Sequence, residues 1–232
     1  MSSSPADLWV FAYGSLMWRP GFAYEEARHA RLNGYRRCFC IYSVHHRGTR
    51  LRPGMVLGLD RGGSCEGIAY RVAAARALDT ARYLREREQV KGVYRDVHLP
   101  VALIQGPPGE AMALTFVAER AHPNYAGGLA PAVQARLIRA ARGISGANLD
   151  YLVNTLRHLA ELGIRERGLE RLLVMIGPYA SRRAGGVGLS ACAAGLVEAL
   201  RSRPPPVRGR NLDQRRRFLY RLRIEDRLPP ER

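Results

Sequence analysis

Two stretches of the sequence carry residues whose types and spacing suit catalysis. The first is residues 11–18, FAYGSLMW, where a hydrophobic run breaks at Gly14 and Ser15. A strand that stops at glycine can turn its next backbone N–H groups outward, and such a turn can bind a carboxylate or phosphate. The second is residues 83–88, YLRERE, which ends in Glu88, a carboxylate that could supply an acid or base.

Glu88 and Glu86 differ in their predicted surroundings. Both lie in an alternating run of arginine and glutamate, which is typical of a solvated helix face. Glu88 comes last, just before Gly92 interrupts the helical pattern, so its side chain can turn inward while Glu86 stays outside. Composition alone leaves both interpretations of Glu88 open, a surface charge and a catalytic base.

Several other catalytic motifs are absent from the sequence. No GxxxxGK[ST] or GxGxxG pattern occurs, so a nucleotide-dependent reaction has no support. Ser15 lacks the second glycine of a GxSxG nucleophile elbow, so we do not take it as a nucleophile. The 6 histidines form no HExxH-like pair and the 4 cysteines no CxxC pair, so we expect no metal site.

The elements that must position these residues predict an α+β fold. Strands are predicted at residues 8–13, 30–44, 93–104 and 111–117, with a hairpin of residues 55–59 and 66–72 around Gly62. Helices are predicted at residues 73–86, 131–142, about 149–160 with Asn148 as N-cap, and 166–176. Strands thus lie mainly in the N-terminal part and helices in the C-terminal part.

Charge and composition divide the chain into two parts. The net charge is +17, and residues 181–232 hold 13 arginines against 5 acidic residues, so the excess is concentrated near the C-terminus. We expect a domain at residues 8–178 and a flexible Arg/Pro-rich tail at 179–232. The tail raises the alternative of nucleic-acid binding, which we do not favour because the presumed domain is less basic.

The cellular location is predicted from composition. The cysteines show no disulfide spacing, the first residues do not look like a secretory signal, and no apolar run approaches the ~18 residues of a membrane span. We therefore expect a cytoplasmic protein with reduced thiols and no membrane partner.

An ordered set of short motifs resembles the ChaC-type γ-glutamylcyclotransferases. After residues 10–18 the resemblance continues at residues 34–37 (GYRR), 46–48 (HRG), 52–54 (RPG), 65–71 (CEGIAYR), 83–88 with Tyr94, 122–125 (HPNY) and 145–152 (SGANLDYL). It departs at residues 126–128, AGG where the family usually has Leu-Gly-Pro, and in the arginine-rich tail.

The resemblance implies a fold, a reaction and a site. The fold would be a small mixed β-barrel flanked by helices, and the enzyme a lyase that cleaves glutathione to 5-oxoproline and Cys-Gly without metal or cofactor. Glu88 would be the acid/base. The implied substrate-binding residues are Ala12, Tyr13, Gly14, Ser15, Leu16, Met17, Tyr94 and Tyr125.

Two other functions stay open from the sequence. A cyclotransferase acting on γ-glutamyl amino acids or γ-glutamylamines would share the glutamyl site and differ only around the leaving group. A non-enzymatic regulatory or nucleic-acid-binding protein would use the basic tail and turn over no γ-glutamyl compound. The oligomeric state is not predicted.

Overall fold

The computed structural model describes residues 6–88 and 92–177. The predicted tail at residues 179–232, with its possible helix at residues 190–200, lies outside the described residues.

A closed five-stranded β-barrel forms the centre of the structure. The order around the barrel is β1 (Leu8–Ala12), β3 (Gly54–Val72), β2 (Glu26–Ser43), β4 (Tyr94–Leu103) and β5 (Gly109–Ala118). Neighbours in this order are antiparallel, and β5 closes the ring by pairing parallel to β1. The sheet is therefore mixed, as the resemblance implied.

The hairpin predicted around Gly62 is wrong, because residues 54–72 form one continuous strand. Strand β3 pairs with β2 from Gly54 opposite Ser43 to Arg71 opposite Glu26. Gly62 and Gly63 have positive φ angles of 97° and 74°, and they lie beside a shift of register in β2. A pair of glycines permits a β-bulge within a strand as readily as a two-residue hairpin turn. The sequence of this segment therefore does not distinguish the two structures.

Four helices cover the barrel. They are α1 (Ala74–Glu88), α2 (Pro131–Ala140), α3 (Asn148–Glu161) and α4 (Arg167–Ile176), and a two-residue ladder of β6 (Arg142–Gly143) and β7 (Gly146–Ala147) precedes α3. Three of the four follow the last barrel strand, in agreement with the predicted order of elements. No helix among the described residues is long and apolar enough to cross a membrane.

Asn148 does not cap helix α3, contrary to the prediction. The N-cap is Ala147, and Asn148 is the first helical residue, with its side chain completely buried. Its Oδ1 accepts a hydrogen bond from the backbone N–H of Met55 (2.6 Å), and its Nδ2 donates to the carbonyl of Met55 (2.7 Å). The side chain therefore joins α3 to β3 instead of satisfying its own helix.

Strand β1 separates two hydrophobic clusters because successive side chains point to opposite faces. Val10 and Ala12 belong to the larger cluster, which includes residues from α1, α2, α3 and α4. Phe11 belongs to a second cluster of barrel-strand residues that also includes Tyr13. The end of β1, and the turn that follows it, is thus fixed from both sides.

Candidate active site

The turn after β1 is a single 3₁₀ turn at Ser15–Met17. The N–H of Met17 donates to the carbonyl of Gly14 (2.9 Å), and that of Arg19 donates to the carbonyl of Ser15 (2.8 Å). The first N–H groups of such a turn have no acceptor within it, so they can face a ligand. The space beside Gly14 is open, because a Cβ added there would meet no atom within 4 Å.

Buried hydrogen bonds fix the backbone of this turn. Arg37 donates from Nε to the carbonyl of Tyr13 (2.5 Å), and the Tyr70 hydroxyl donates to the carbonyl of Met17 (2.8 Å). The guanidinium of Arg37 also forms an ion pair with Glu166 at 3.3 Å, just before helix α4. The turn is therefore held by the barrel and by the C-terminal helices together.

The predicted binding residues of this stretch differ in exposure. Ala12 and Met17 are completely buried, Leu16 and Tyr13 are nearly so, and Gly14 and Ser15 are partly exposed. A ligand at this turn would therefore contact the backbone of residues 14–15 and the Ser15 hydroxyl, while the buried side chains support the turn from beneath.

Glu88 is the last residue of α1 and its side chain is 20% exposed, whereas Glu86 is exposed. This is the difference that the sequence predicted. Burial raises the pKa of Glu88 above the ordinary value of a glutamate, while the charge of Arg87, 3.3 Å away, acts in the opposite direction. Glu88 is thus a carboxylate whose basicity is increased by its surroundings.

The charge of this carboxylate acts on three tyrosines, of which Tyr13 is buried and Tyr94 and Tyr151 are partly buried. Burial raises the pKa of Tyr13 and Tyr94 well above the usual value and that of Tyr151 to about 12, and the charge of Glu88 adds to each shift. The Tyr94 hydroxyl donates to the carbonyl of Leu57 at 2.6 Å. The structure thus brings together Tyr13, Tyr94 and Glu88, which the resemblance placed in one site.

Tyr151 was not among the predicted site residues. It lies within the matched segment 145–152, but a tyrosine in an amphipathic helix gives no separate signal. In the structure its ring packs edge-on against Phe39, with centroids 5.8 Å apart.

Arg87 is a second residue that sequence reasoning missed, because it was taken as part of a solvated charged face. One terminal nitrogen, Nη2, donates to the Ser15 hydroxyl (3.1 Å). The other, Nη1, donates to the carbonyl of Arg19 (2.9 Å) and to the Tyr83 hydroxyl (3.0 Å). Arg87 therefore joins the helix that carries Glu88 to the turn after β1. The sequence does show that Tyr83 lies four residues before Arg87, and this spacing places both side chains on the same face of a helix.

Tyr125 lies beside the group without pointing its hydroxyl at it. Its ring packs in a small cluster with Tyr94, and its hydroxyl donates to Asp60 at 3.0 Å. The loop around it is tied to β2, because the N–H of Tyr42 donates to the carbonyl of Asn124 (2.8 Å) and that of Ala126 donates to Cys40 (2.7 Å). The first residue of the segment at residues 126–128 is therefore held against strand β2 by a backbone hydrogen bond.

The arrangement can hold a carboxylate and move a proton. Open backbone donors at the turn suit an anion, and a partly buried carboxylate of raised pKa can accept and return a proton. Within residues 6–88 and 92–177, no three His, Cys, Asp or Glu side chains are grouped in a way that could hold a metal ion.

Comparison with known proteins gives relatives of one kind. The family model described as ChaC-like protein matches residues 8–179. The glutathione-specific gamma-glutamylcyclotransferase of Escherichia coli K12 is 35% identical over 169 residues, which are 73% of this chain and 72% of that protein. The mouse glutathione-specific gamma-glutamylcyclotransferase 1 is 39% identical over 151 residues, covering 64% of this chain and 68% of its own.

Solved structures show the same fold. The crystal structure of a glutathione-specific gamma-glutamyl cyclotransferase from yeast superposes with a TM-score of 0.66 at 21% identity. It covers 74% of this chain and 98% of the yeast chain.

Proposed function

The chain belongs to the ChaC-like protein family, and from this premise we propose that it is a glutathione-specific γ-glutamylcyclotransferase. It would be a lyase that releases 5-oxoproline and Cys-Gly from glutathione. The observation that carries the proposal is the position of Glu88, a carboxylate of raised pKa joined through its neighbour Arg87 to the turn after β1.

The first step is to bind the γ-glutamyl group in a folded conformation. The backbone N–H groups and hydroxyl around Gly14 and Ser15 would receive its α-carboxylate, with the open space beside Gly14 admitting the main chain of the substrate. Folding the glutamyl chain back brings its α-amine to its own γ-carbonyl. Such positioning can supply several kcal/mol of the barrier.

The second step is a proton transfer coupled to ring closure. The α-ammonium loses a proton to Glu88, and the amine nitrogen then attacks the γ-carbonyl carbon. As the bond from that carbon to the cysteine nitrogen breaks, Glu88 returns the proton to the leaving nitrogen. The ring nitrogen then loses a second proton, which Glu88 passes to the released amine, so that Cys-Gly departs as an ammonium and 5-oxoproline keeps one N–H. Bonds and protons balance without an added reactant. One carboxylate that acts as base and then as acid typically contributes ~10²–10⁴-fold.

In this proposal the tyrosines act as hydrogen-bond donors to the substrate and line the pocket. Because burial raises the pKa of Tyr13, Tyr94 and Tyr151, their hydroxyls stay protonated through the neutral range. The Tyr94 hydroxyl already donates to the carbonyl of Leu57, so Tyr13 and Tyr151 are the candidate donors. A protonated donor near the γ-carbonyl would stabilise the negative charge that develops on its oxygen. Tyr125 would line the pocket through its ring beside Tyr94.

Incubation of the purified protein with glutathione tests the proposal. The expected products are equal amounts of 5-oxoproline and Cys-Gly, with γ-glutamyl-alanine turned over much more slowly. Faster release of 5-oxoproline from γ-glutamyl-alanine or from a γ-glutamylamine would show a different substrate class. No release from any of the three would overturn the enzyme assignment.

A cytoplasmic location belongs to the same proposal. Cys38, Cys40 and Cys65 are free thiols in the structure, which suits a reducing compartment, where glutathione is also abundant. Cell fractionation with an antibody against the protein would place it, and a signal confined to a secreted or oxidising fraction would contradict this proposal.

A further inference from the structure

Arg47 is a partly buried cation with unused hydrogen-bonding capacity. One terminal nitrogen, Nη1, donates to the carbonyls of Ser145 (2.5 Å) and Ala147 (3.5 Å), and the guanidinium lies 5.2 Å from the centre of the Tyr151 ring. An arginine has five N–H donors, so most of those on Arg47 remain after these contacts. Its position is fixed, while its second terminal nitrogen makes no hydrogen bond to residues 6–88 or 92–177.

Arg47 differs from the other partly or fully buried arginines of the described chain. Within residues 6–88 and 92–177 there are five such arginines, and four of them have a carboxylate within 4 Å. These four are Arg28, Arg37, Arg71 and Arg87. None of the ion pairs found in that part of the chain includes Arg47. Burial lowers its pKa, and the charges of Tyr151 and Asp150 act in the opposite direction. A partly desolvated cation that makes no direct ion pair with the described residues can bind an anion.

Tyr151 connects this cation to the candidate active site. Its ring lies under Arg47, and its hydroxyl interacts with the backbone of Leu57, the residue whose carbonyl accepts from Tyr94. The positive charge of Arg47 lowers the pKa of Tyr151, and the negative charge of Glu88 raises it. Arg47 therefore borders a tyrosine that the charge of Glu88 also reaches.

We infer that Arg47 binds the C-terminal carboxylate of the dipeptide that leaves from a γ-glutamyl tripeptide. This inference rests on the proposed function and deepens it, because it names a residue that selects the leaving group. The turn after β1 receives one end of the substrate and Arg47 receives the other. An extended dipeptide spans about 7 Å, so its carboxylate lies well beyond the reacting carbonyl.

The assignment explains a preference among γ-glutamyl compounds. A γ-glutamylamine has no carboxylate on its leaving group, and a γ-glutamyl amino acid carries it one residue closer to the reacting bond. Only a dipeptide leaving group with a free carboxylate would reach Arg47. A bidentate or charge-assisted contact of this kind typically gives about 10- to 100-fold in affinity.

The test compares glutathione with its glycine carboxamide, in which a neutral amide replaces the charged carboxylate and the rest of the molecule is unchanged. For the wild-type protein, kcat/KM should fall about 10- to 100-fold on the carboxamide, mainly through KM, because the contact is made equally before and during the reaction. In Arg47→Gln the difference between the two substrates should disappear. In Arg47→Lys it should be partly kept.

Arg50→Gln is the matched control, because Arg50 is an exposed arginine of the same loop. It should retain the wild-type preference. A wild-type protein that does not distinguish the two substrates, or an Arg47→Gln variant that still does, would overturn the inference. Equal loss on both substrates in Arg47→Gln would assign the residue to support of residues 145–147 only. If the wild type releases 5-oxoproline from neither substrate, the proposed function itself falls, and this inference with it.

Discussion

Arg87 donates a hydrogen bond over 3.1 Å to the hydroxyl of Ser15, and this contact joins the end of helix α1 to the turn after strand β1. The two segments are about 70 residues apart in sequence and each carries one half of the proposed site. Since Glu88 is the next residue along α1, we expect this contact of Arg87 to position the carboxylate relative to the turn.

Replacing Arg87 by glutamine should lower kcat/KM for glutathione about 10- to 100-fold. The shorter side chain cannot reach both the Ser15 hydroxyl and the carbonyl of Arg19, and a misplacement of about 1 Å can have this effect. Arg82→Gln is the control, since Arg82 is exposed on the same helix. Steady-state kinetics of both variants decide the matter, and equal activities would contradict the positioning role.

Glu88→Gln should reduce release of 5-oxoproline by at least about 10²-fold, because an amide can neither accept nor return the proton. The variant should remain folded, since glutamine has nearly the same shape. Glu86→Gln, an exposed neighbour in the same helix, should keep near-normal turnover. If the effects of the two substitutions were reversed, Glu86 would take the role that we propose for Glu88.

The acidic limb of the pH profile of kcat/KM should lie above the range of an ordinary glutamate. Glu88 must be ionised to accept a proton, and burial raises its pKa, so activity is lost below that raised value and increases as the pH rises through it. The cation of Arg87 lowers the same pKa, so Arg87→Gln should shift the limb further toward neutral pH. An acidic limb that both Arg87→Gln and Glu88→Asp leave unmoved would exclude Glu88 as its source.

Arg37→Met should lower the free energy of unfolding by about 3–5 kcal/mol, because it leaves Glu166 without its partner in a mostly buried position. It also removes the donors to the carbonyls of Tyr13 and Glu66. Urea unfolding of this variant should be compared with Arg82→Met, where an exposed ion pair is lost and the change should stay within about 0.5 kcal/mol. The double variant Arg37→Met/Glu166→Gln should recover part of the loss.

Asn148→Ala should lower the free energy of unfolding by about 2–4 kcal/mol, since both the N–H and the carbonyl of Met55 lose their buried partner. Asn154→Ala, an exposed asparagine of the same helix, should change it by less than about 0.5 kcal/mol. Similar midpoints in urea for the two variants would mean that the contact between α3 and β3 contributes little.

The order of the elements and the position of Glu88 at a helix end were predictable from local sequence patterns, whereas the mixed barrel was implied only by the family resemblance. Strands and helices follow from hydrophobic periods of 2 and 3.6, and the end of a helix follows from residues next to it. These are local properties. The family motifs added which segments belong to one site, although no contact between them can be read from spacing.

Only the tertiary structure decided which partners individual polar side chains bind and whether a glycine pair forms a turn. The side chain of Asn148 looked like a helix cap, and Arg87 like one charge of a solvated face. Gly62 looked like the centre of a hairpin, and Arg47 was only one residue of the matched motif at residues 46–48. Each of these residues can satisfy its local environment in more than one way. For Gly62 the choice is made by strand β2, about 30 residues away. For the three polar side chains it is made by groups about 70 to 100 residues away, because a buried polar atom must find a partner wherever the fold supplies one.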